Sequence, residues 1–338
     1  MKNSNLSNIA AKAGCSVATV SRVLNGVAEK NRITRETVEK VLAAVRESGY
    51  VSRRSTQILN KSRRDTIGLL VPSVANPFFA EMASIVVSEA YSLGYAVCLF
   101  DANEDAERFV DCLQMLDSAG VSGIIAVPCG DCEGLLEKIG SHTPTVLLDR
   151  YFRDTTLPYV TSNNYQGGLD ATRELIAGGC RRIIAIQGPE SSMPSRERVR
   201  GFFDAVGAAG IAGTCRVVGN EFSSHCGYIE SKLFLSEPER PDGIFALGNT
   251  IMLGAVRAVR EAGLSIPDDI SIICFDDNQF MNLMSPPITR IGQPVKDMAS
   301  LAFKLLLDRI AGQTQSASHI LLTPTLVRGE SIRKNKRH

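Results

Sequence analysis

The side chains best placed to do chemistry in this 338-residue chain stand just beyond short apolar runs. Ser73, Asn76, Phe78 and Phe79 follow IGLLV, Asp149 and Arg150 close TVLLD, Asn249 follows GIFAL and Asp276 follows ISIICF. Asn163 and Arg198, the latter in the run SRERVRG, complete the set. Carboxylates, guanidinium groups and amides around a cleft suit a polyhydroxylated ligand, whose hydroxyls need paired donors and acceptors once water is removed. A structural role competes at several positions. Asp149 and Asp276 could cap turns, Arg198 could lie on a solvated helix face, and one of Phe78 and Phe79 could belong to the core.

A second set suits a different partner. Ser16, Val17, Ala18, Thr19, Ser21, Arg22 and Asn25 lie within LSNIAAKAGCSVATVSRVLNG (6–26), which has the form helix, glycine turn, helix. In that motif the second helix enters the major groove with its N-terminal residues at the base edges. Arg22 can make the bidentate contact to guanine, and Val17 and Ala18 can touch a thymine methyl. Ser16, Thr19 and Ser21 can bond phosphates, which fix register without reading sequence. Charge agrees with this division. Residues 1–64 carry 13 Lys/Arg against 4 Asp/Glu, while the remainder carries 24 against 32, so a net charge of +1 hides a basic head on an acidic body.

Catalytic signatures are missing. The sequence has no GxxxxGK[ST], no GxGxxG after the first strand, no GxSxG and no HExxH, so no enzyme activity and no cofactor is expected. Only four His occur, and none sits in a metal-like cluster. Cys129 and Cys132 have CxxC spacing without the context a redox or metal site needs. The nine Cys, an odd number, fit a reducing compartment better than a disulfide framework. The N-terminal residues lack an apolar core, and no apolar run reaches about 18 residues, so a cytoplasmic protein with no membrane span is expected.

The elements that must hold these residues follow from periodicity. Leu6, Ile9, Ala10 and Ala13 share one helical face, Gly14 stops that helix, and Ser16 is a good N-cap for the next. A third helix starts near Thr34 and ends at Gly49. Residues 51–64 are basic and poor in apolar groups, and read as a linker that orders on a partner. Beyond them, β-rich runs at 67–71, 95–100, 123–127, 145–149, 182–187, 216–219, 243–247 and 270–275 alternate with helical stretches. The helical stretches are 77–93, 104–118, 166–178, 197–209, 224–236 and 250–262, followed by 295–311 and a strand-like run at 320–327. This alternation predicts parallel sheets covered by helices, and eight such runs favour two similar sheets.

The segments ATVSRVLNG, ITRETVEKVLAAVRESGY (33–50) and IGLLVPSVANPFFAEM (67–82) resemble the lactose-repressor/galactose-repressor (LacI/GalR) family of bacterial regulators, and the likeness runs from about residue 6 to 332. It implies a small all-α helix–turn–helix head on an α/β periplasmic-binding-protein-like core of two Rossmann-like lobes. The domains would be 1–50 for the head, 51–64 for a hinge helix and 65–338 for the effector-binding and dimerisation core. Lobe one would span about 66–161 and 291–321, and lobe two about 162–290 and 322–332. The family's effector positions match Phe78, Asp149, Arg198 and Asp276 best, and its hinge leucine, a minor-groove wedge, matches Leu59.

The resemblance implies a homodimer on near-palindromic operator DNA with a small effector between its lobes, and the acidic, amide-rich cleft favours a sugar or sugar derivative as that effector. A co-repressor-dependent regulator with a purine or other non-sugar effector is the alternative, and a free solute-binding protein is disfavoured by the basic head. The chain departs from the family's pattern at several places. The loop after Asn25 is about three residues longer, the hinge lacks a proline near Ser52 and has Thr56 for a small Ala, and Gly248-Asn249 stands where Asn-Asp is common.

Overall fold

The structure, a computed structural model, describes residues 6–24, 33–48, 66–313 and 318–334. Asn25 and the hinge residue Leu59 therefore lie outside the described residues. The chain divides into two units, 1–65 and 66–338.

Among its described residues the first unit has three helices: α1 (Leu6–Ala13), α2 (Val17–Leu24) and α3 (Arg35–Ser48). Gly14 adopts φ of 65°, which turns the chain sharply between α1 and α2 at no side-chain penalty. The Ser16 hydroxyl accepts from the Thr19 N–H at 3.1 Å and caps α2. Ala10 and Ala13 of α1, Val20 and Val23 of α2, and Val41 and Ala44 of α3 form the core. Small residues on α1 let the helices approach closely.

The second unit contains two six-stranded sheets. Sheet one is built from β1 (Thr66–Val71), β2 (Ala96–Asp101), β3 (Gly123–Ala126), β4 (Thr145–Leu148), β5 (Tyr159–Ser162) and β11 (His319–Leu322). Its order is β11-β5-β4-β3-β1-β2, all parallel. Sheet two contains β6 (Ile183–Ile186), β7 (Arg216–Val218), β8 (Gly243–Ala246), β9 (Ser271–Phe275), β10 (Thr289–Gly292) and β12 (Thr325–Val327). Its order is β12-β10-β9-β8-β6-β7, parallel except for the antiparallel β10–β12 pair. Central strands such as β3, β4, β8 and β9 are buried throughout, as continuous apolar runs covered on both faces must be.

On sheet one, α4 (Pro77–Ser92) and α11 (Val295–Ile310) bury Met82, Val86, Phe303 and Leu306 on one face. The other face holds α5 (Ala106–Ala119) and α6 (Glu133–Gly140), through Phe109, Leu113, Leu116 and Leu136. On sheet two, α7 (Asn164–Ala177) and α8 (Met193–Ala208) bury Leu175, Phe202 and Val206. There α9 (Ser224–Leu235) and α10 (Asn249–Glu261) bury Cys226, Met252 and Val259 on the opposite face. Glycine lets α7 and α8 touch backbone to backbone, since a Cβ on Gly201 would stand 2.3 Å from the Tyr165 carbonyl oxygen.

The chain passes from sheet one to sheet two after β5, returns after β10, and crosses a third time between β11 and β12. The sequence reading omitted β5, β10 and α6 and joined β11 to β12. The second crossing follows Gly292, so β10 belongs wholly to sheet two and the return lies slightly beyond the 290/291 division.

Candidate functional site

In the first unit α2 turns Val20 and Val23 inward, which leaves Ser16, Val17, Ala18 and Arg22 exposed along its outer face. Thr19 is half-buried, and its hydroxyl meets that of Ser16 at 2.8 Å. Ser21 lies on the same helix. A basic side chain and small groups at the start of an exposed helix make a surface that can enter a DNA groove.

In the second unit, one cavity between the lobes is lined by Asn76, Phe78, Phe79, Asp149, Arg150, Arg198 and Asp276, joined by Pro194 and Phe222. Its free space is about 20 Å³, room for about one water, so the lobes lie closed over it. A wider crevice of about 560 Å³ nearby is lined by Glu81, Asp277 and Arg290, among others. There the Arg290 guanidinium already pairs with Asp277 at 2.6 Å. The strand-end constellation belongs to the smaller cavity.

Two carboxylates define this cavity. Asp149, beyond β4, and Asp276, beyond β9, both have positive φ, 63° and 80°, a conformation Asp adopts more readily than most residues. Asp276 is held by its neighbours: Oδ1 accepts from Gln293 Nε2 at 2.7 Å and Oδ2 from the Asn249 N–H at 3.3 Å. Asp149 Oδ1 is buried and has no hydrogen-bond partner among the described residues. Burial pushes the Asp149 carboxyl up to about 6, the Arg198 and Arg150 charges pull it back, and the Asp276 charge adds to the rise.

Arg198 projects from α8 and is buried. Its Nε donates to Asn164 Oδ1 at 2.8 Å and its Nη1 to the Leu247 carbonyl at 2.6 Å, while its guanidinium lies 3.6 Å from the Phe275 ring centroid. Burial lowers its pKa, against the favourable charges of Asp276 and Asp149. Arg150 behaves differently. It makes a two-pronged pair with Glu104, both contacts at 2.8 Å, with the Phe79 and Phe222 rings 5.5 and 5.4 Å away. Most of its donor capacity is therefore spent inside lobe one, and Phe222 reaches it from lobe two.

Asn249 sits at the start of α10 and bridges the lobes, donating from Nδ2 to Asn76 Oδ1 at 3.0 Å and to Asn278 Oδ1 at 2.9 Å. Phe78 and Phe79 are both buried in the lobe-one core and also line the cavity. Ser73, Asn163 and Asn249 stand apart from the lining. The Ser73 hydroxyl accepts from the Ala75 N–H at 3.3 Å, and Asn163 Oδ1 caps α7 through the Gln166 N–H at 3.1 Å. Sequence reasoning missed Glu104, Asn164, Pro194, Phe222, Asn278 and Gln293. Phe222 lies past β7, in the loop that leads into α9, and carries no strand-end signal.

A helix–turn–helix unit joined in one chain to a two-lobed binding core defines a DNA-binding regulator that answers to a small molecule. The comparisons agree. The family of bacterial regulatory proteins, lacI family, matches residues 5–52, and a periplasmic binding protein-like domain matches 172–332. The HTH-type transcriptional repressor PurR of Edwardsiella ictaluri is 33% identical over 331 residues, covering 97% of this chain and 96% of its own. The crystal structure of the lac repressor dimer bound to operator and the anti-inducer ONPF has a TM-score of 0.78 at 26% identity, covering 98% of this chain and 100% of that one. A transcriptional regulator CelR–cellobiose complex has a TM-score of 0.71 at 28% identity, covering 97% and 100%. The chain belongs to the lacI family: it is a DNA-binding transcriptional repressor with an effector-binding domain.

Proposed function

We propose that this repressor reads a near-palindromic operator as a homodimer, and that a sugar or sugar derivative held between its lobes controls the reading. The observation that carries the choice of effector is the set of buried acceptors without partners. Asp149 Oδ1, of the cavity lining, Asn249 Oδ1, outside that lining, and Gln293 Oε1, of the wider crevice's lining, are buried and have no donor among the described residues. An unmatched buried acceptor is unfavourable by about 1–3 kcal/mol, so the cleft suits a ligand rich in O–H donors. Asp149, Arg198, Asn249 and Asp276 would bond its hydroxyls, and Phe78, Phe79 and Phe222 would wall its apolar faces. Arg150 would act mainly as scaffold through Glu104. The bound cellobiose of the similar CelR structure is in keeping with this chemistry.

Arg22, Val17 and Ala18 would read bases, Ser16, Thr19, Ser21 and Asn25 would hold the backbone, and Leu59 would wedge the operator centre. Dimerisation would use exposed apolar side chains present on both lobes: Val87, Tyr91 and Leu93 on lobe one, Leu233, Leu253 and Leu283 on lobe two. No helix among the described residues is long and apolar enough to cross a membrane, and the reading places the protein in the cytoplasm with the DNA it binds.

The test is calorimetric titration of the full chain with a panel of sugars, sugar phosphates and purines, paired with operator selection from random duplexes at fixed salt. Saturable binding of a saccharide that changes operator affinity is the expected result. Binding of a purine alone, or a saccharide that leaves operator affinity unchanged, would overturn the assignment.

A further inference from the structure

We propose that the side-chain amide of Asn249 is a latch that fastens lobe two to lobe one, and that its strength sets how much of the repressor is held closed. Asn76 is the N-cap of α4, and its Oδ1 accepts from the Phe78 N–H at 3.1 Å. That bond fixes which end of the Asn76 amide faces the cleft. The same oxygen accepts from Asn249 Nδ2 at 3.0 Å, across the boundary between the lobes. The remaining hydrogen of Asn249 Nδ2 goes to Asn278 Oδ1 at 2.9 Å, so both of its donors are used. Reversing the Asn249 amide would set oxygen against the Asn76 oxygen, so its orientation is determined by its surroundings.

The latch is tied to the binding groups. The Asn249 backbone N–H donates to Asp276 Oδ2, and Asp276 Oδ1 accepts from Gln293 in the segment that crosses between sheets. A hydrogen-bonded line therefore runs from the cap of α4 in lobe one, through Asn249 and Asp276 in lobe two, to one of the three crossings. Asn249 is almost fully buried, with 1% exposure, so its bonds are shielded from competing water. A cavity of about 20 Å³ has no room for a saccharide, so the fraction held closed is withdrawn from binding and apparent affinity falls as that fraction rises. Loss of one buried bridge lowers the closed-to-open ratio roughly five- to tenfold.

Two substitutions separate the latch from general damage. Asn249→Asp keeps the shape and removes both hydrogens. Asn76→Ser keeps an oxygen that caps α4 and withdraws it from Asn249. Amide hydrogen exchange of the full-length protein, followed segment by segment, reads closure directly. The expected result is exchange roughly five- to tenfold faster at 73–79 and 247–252 in either variant, with β3 and β6 unchanged. The double variant should go no further than Asn249→Asp alone, because Asn76→Ser removes a bond that Asn249→Asp has already removed. Unchanged exchange at the cleft, additive effects, or an equal rise in β3 and β6 would overturn the proposal. Should Asn249→Asp fail to fold, Asn76→Ser decides alone. The consequence for effector affinity rests on the function proposed above, but the exchange experiment uses neither effector nor DNA, so the two stand or fall separately.

Discussion

Replacing Asp149 by Asn should make the effector core more stable and a poorer binder, and the size of the first effect follows from the carboxyl's surroundings. The native state holds this group near 6 against an ordinary value of 3.8. A gap of that size corresponds to about 3 kcal/mol. The sign is set by proton uptake. A raised pKa means that the folded state binds more protons than the unfolded chain between those two values, so stability falls as pH rises through that window. Above about 6 the full penalty of the buried charge is present, and below about 3.8 it is gone. Asn removes the charge, keeps the shape and tolerates the positive φ of 63° at this position. The variant should therefore be more stable than the parent at pH 8 by about 1–3 kcal/mol and should lose this part of the slope between pH 4 and 7. Thermal unfolding followed by far-ultraviolet circular dichroism suits a chain with no Trp. The melting temperature of the core should rise by several degrees at pH 8. Equal stability of parent and variant at pH 8, or an unchanged slope, would refute the idea that the cleft carries an uncompensated buried charge.

Other expectations concern separate links in the same chain of cause. Arg22→Ala should relax operator preference by about 1–3 kcal/mol while leaving effector titrations unchanged, and parallel loss of both activities would sink the division of labour between the units. Asp276→Ala should abolish the effector response and leave operator affinity intact in gel-shift assays, and an undiminished response would move the site elsewhere. Gly201→Ala should destabilise the core by about 1–3 kcal/mol, because the added Cβ would meet the Tyr165 carbonyl oxygen at 2.3 Å. Denaturant unfolding measures that loss, and a neutral outcome would mean that α7 and α8 can separate without penalty.

How far the sequence could be read depended on whether a signal was local. The helix–turn–helix was legible because a turn glycine, a cap and an apolar stripe all fall within 6–24. The central strands β1, β3, β4, β6, β8 and β9 were legible as buried apolar runs. β5 (YVTS) and β10 (TRIG) were not, because their polar residues are matched by partners distant in sequence. The Thr161 hydroxyl bonds the Asp149 carbonyl at 2.7 Å, and Arg290 bonds Asp277. The run at 320–327 read as one strand, yet Thr323 and Pro324 interrupt it and send its halves into different sheets. In the site, position beyond a strand found Asp149 and Asp276 but could not tell them from Ser73 and Asn163, whose side chains turn back to their own backbone. The partners of a polar group decide that, and they are set by the fold. Phe222 escaped because the short run before it ends at Gly219, and the ring reaches the cleft only through the loop leading into α9.

The placement of charge explains why closure, and not mere presence of the residues, is the quantity an effector can control. Asp149 belongs to lobe one, Arg198 and Asp276 to lobe two, and the Asp149 carboxyl feels the attraction of the one and the repulsion of the other. Opening the cleft would relieve the burial of Asp149 and its repulsion from Asp276, and would give up its attraction to Arg198 and the Asn76–Asn249 bridge. Closure is thus a balance of terms with opposite signs, each of a few kcal/mol at most. A ligand that supplies hydrogen-bond donors to Asp149 Oδ1 would need more room than the about 20 Å³ left here, so it would favour lobes held further apart than these. Differential binding of this kind is what shifts a two-state equilibrium, whereas equal affinity for both states shifts nothing. A well-satisfied, neutral cleft would close firmly without a ligand and leave it little to change. The buried carboxylate weakens the protein at the one place where that weakness can be removed by binding.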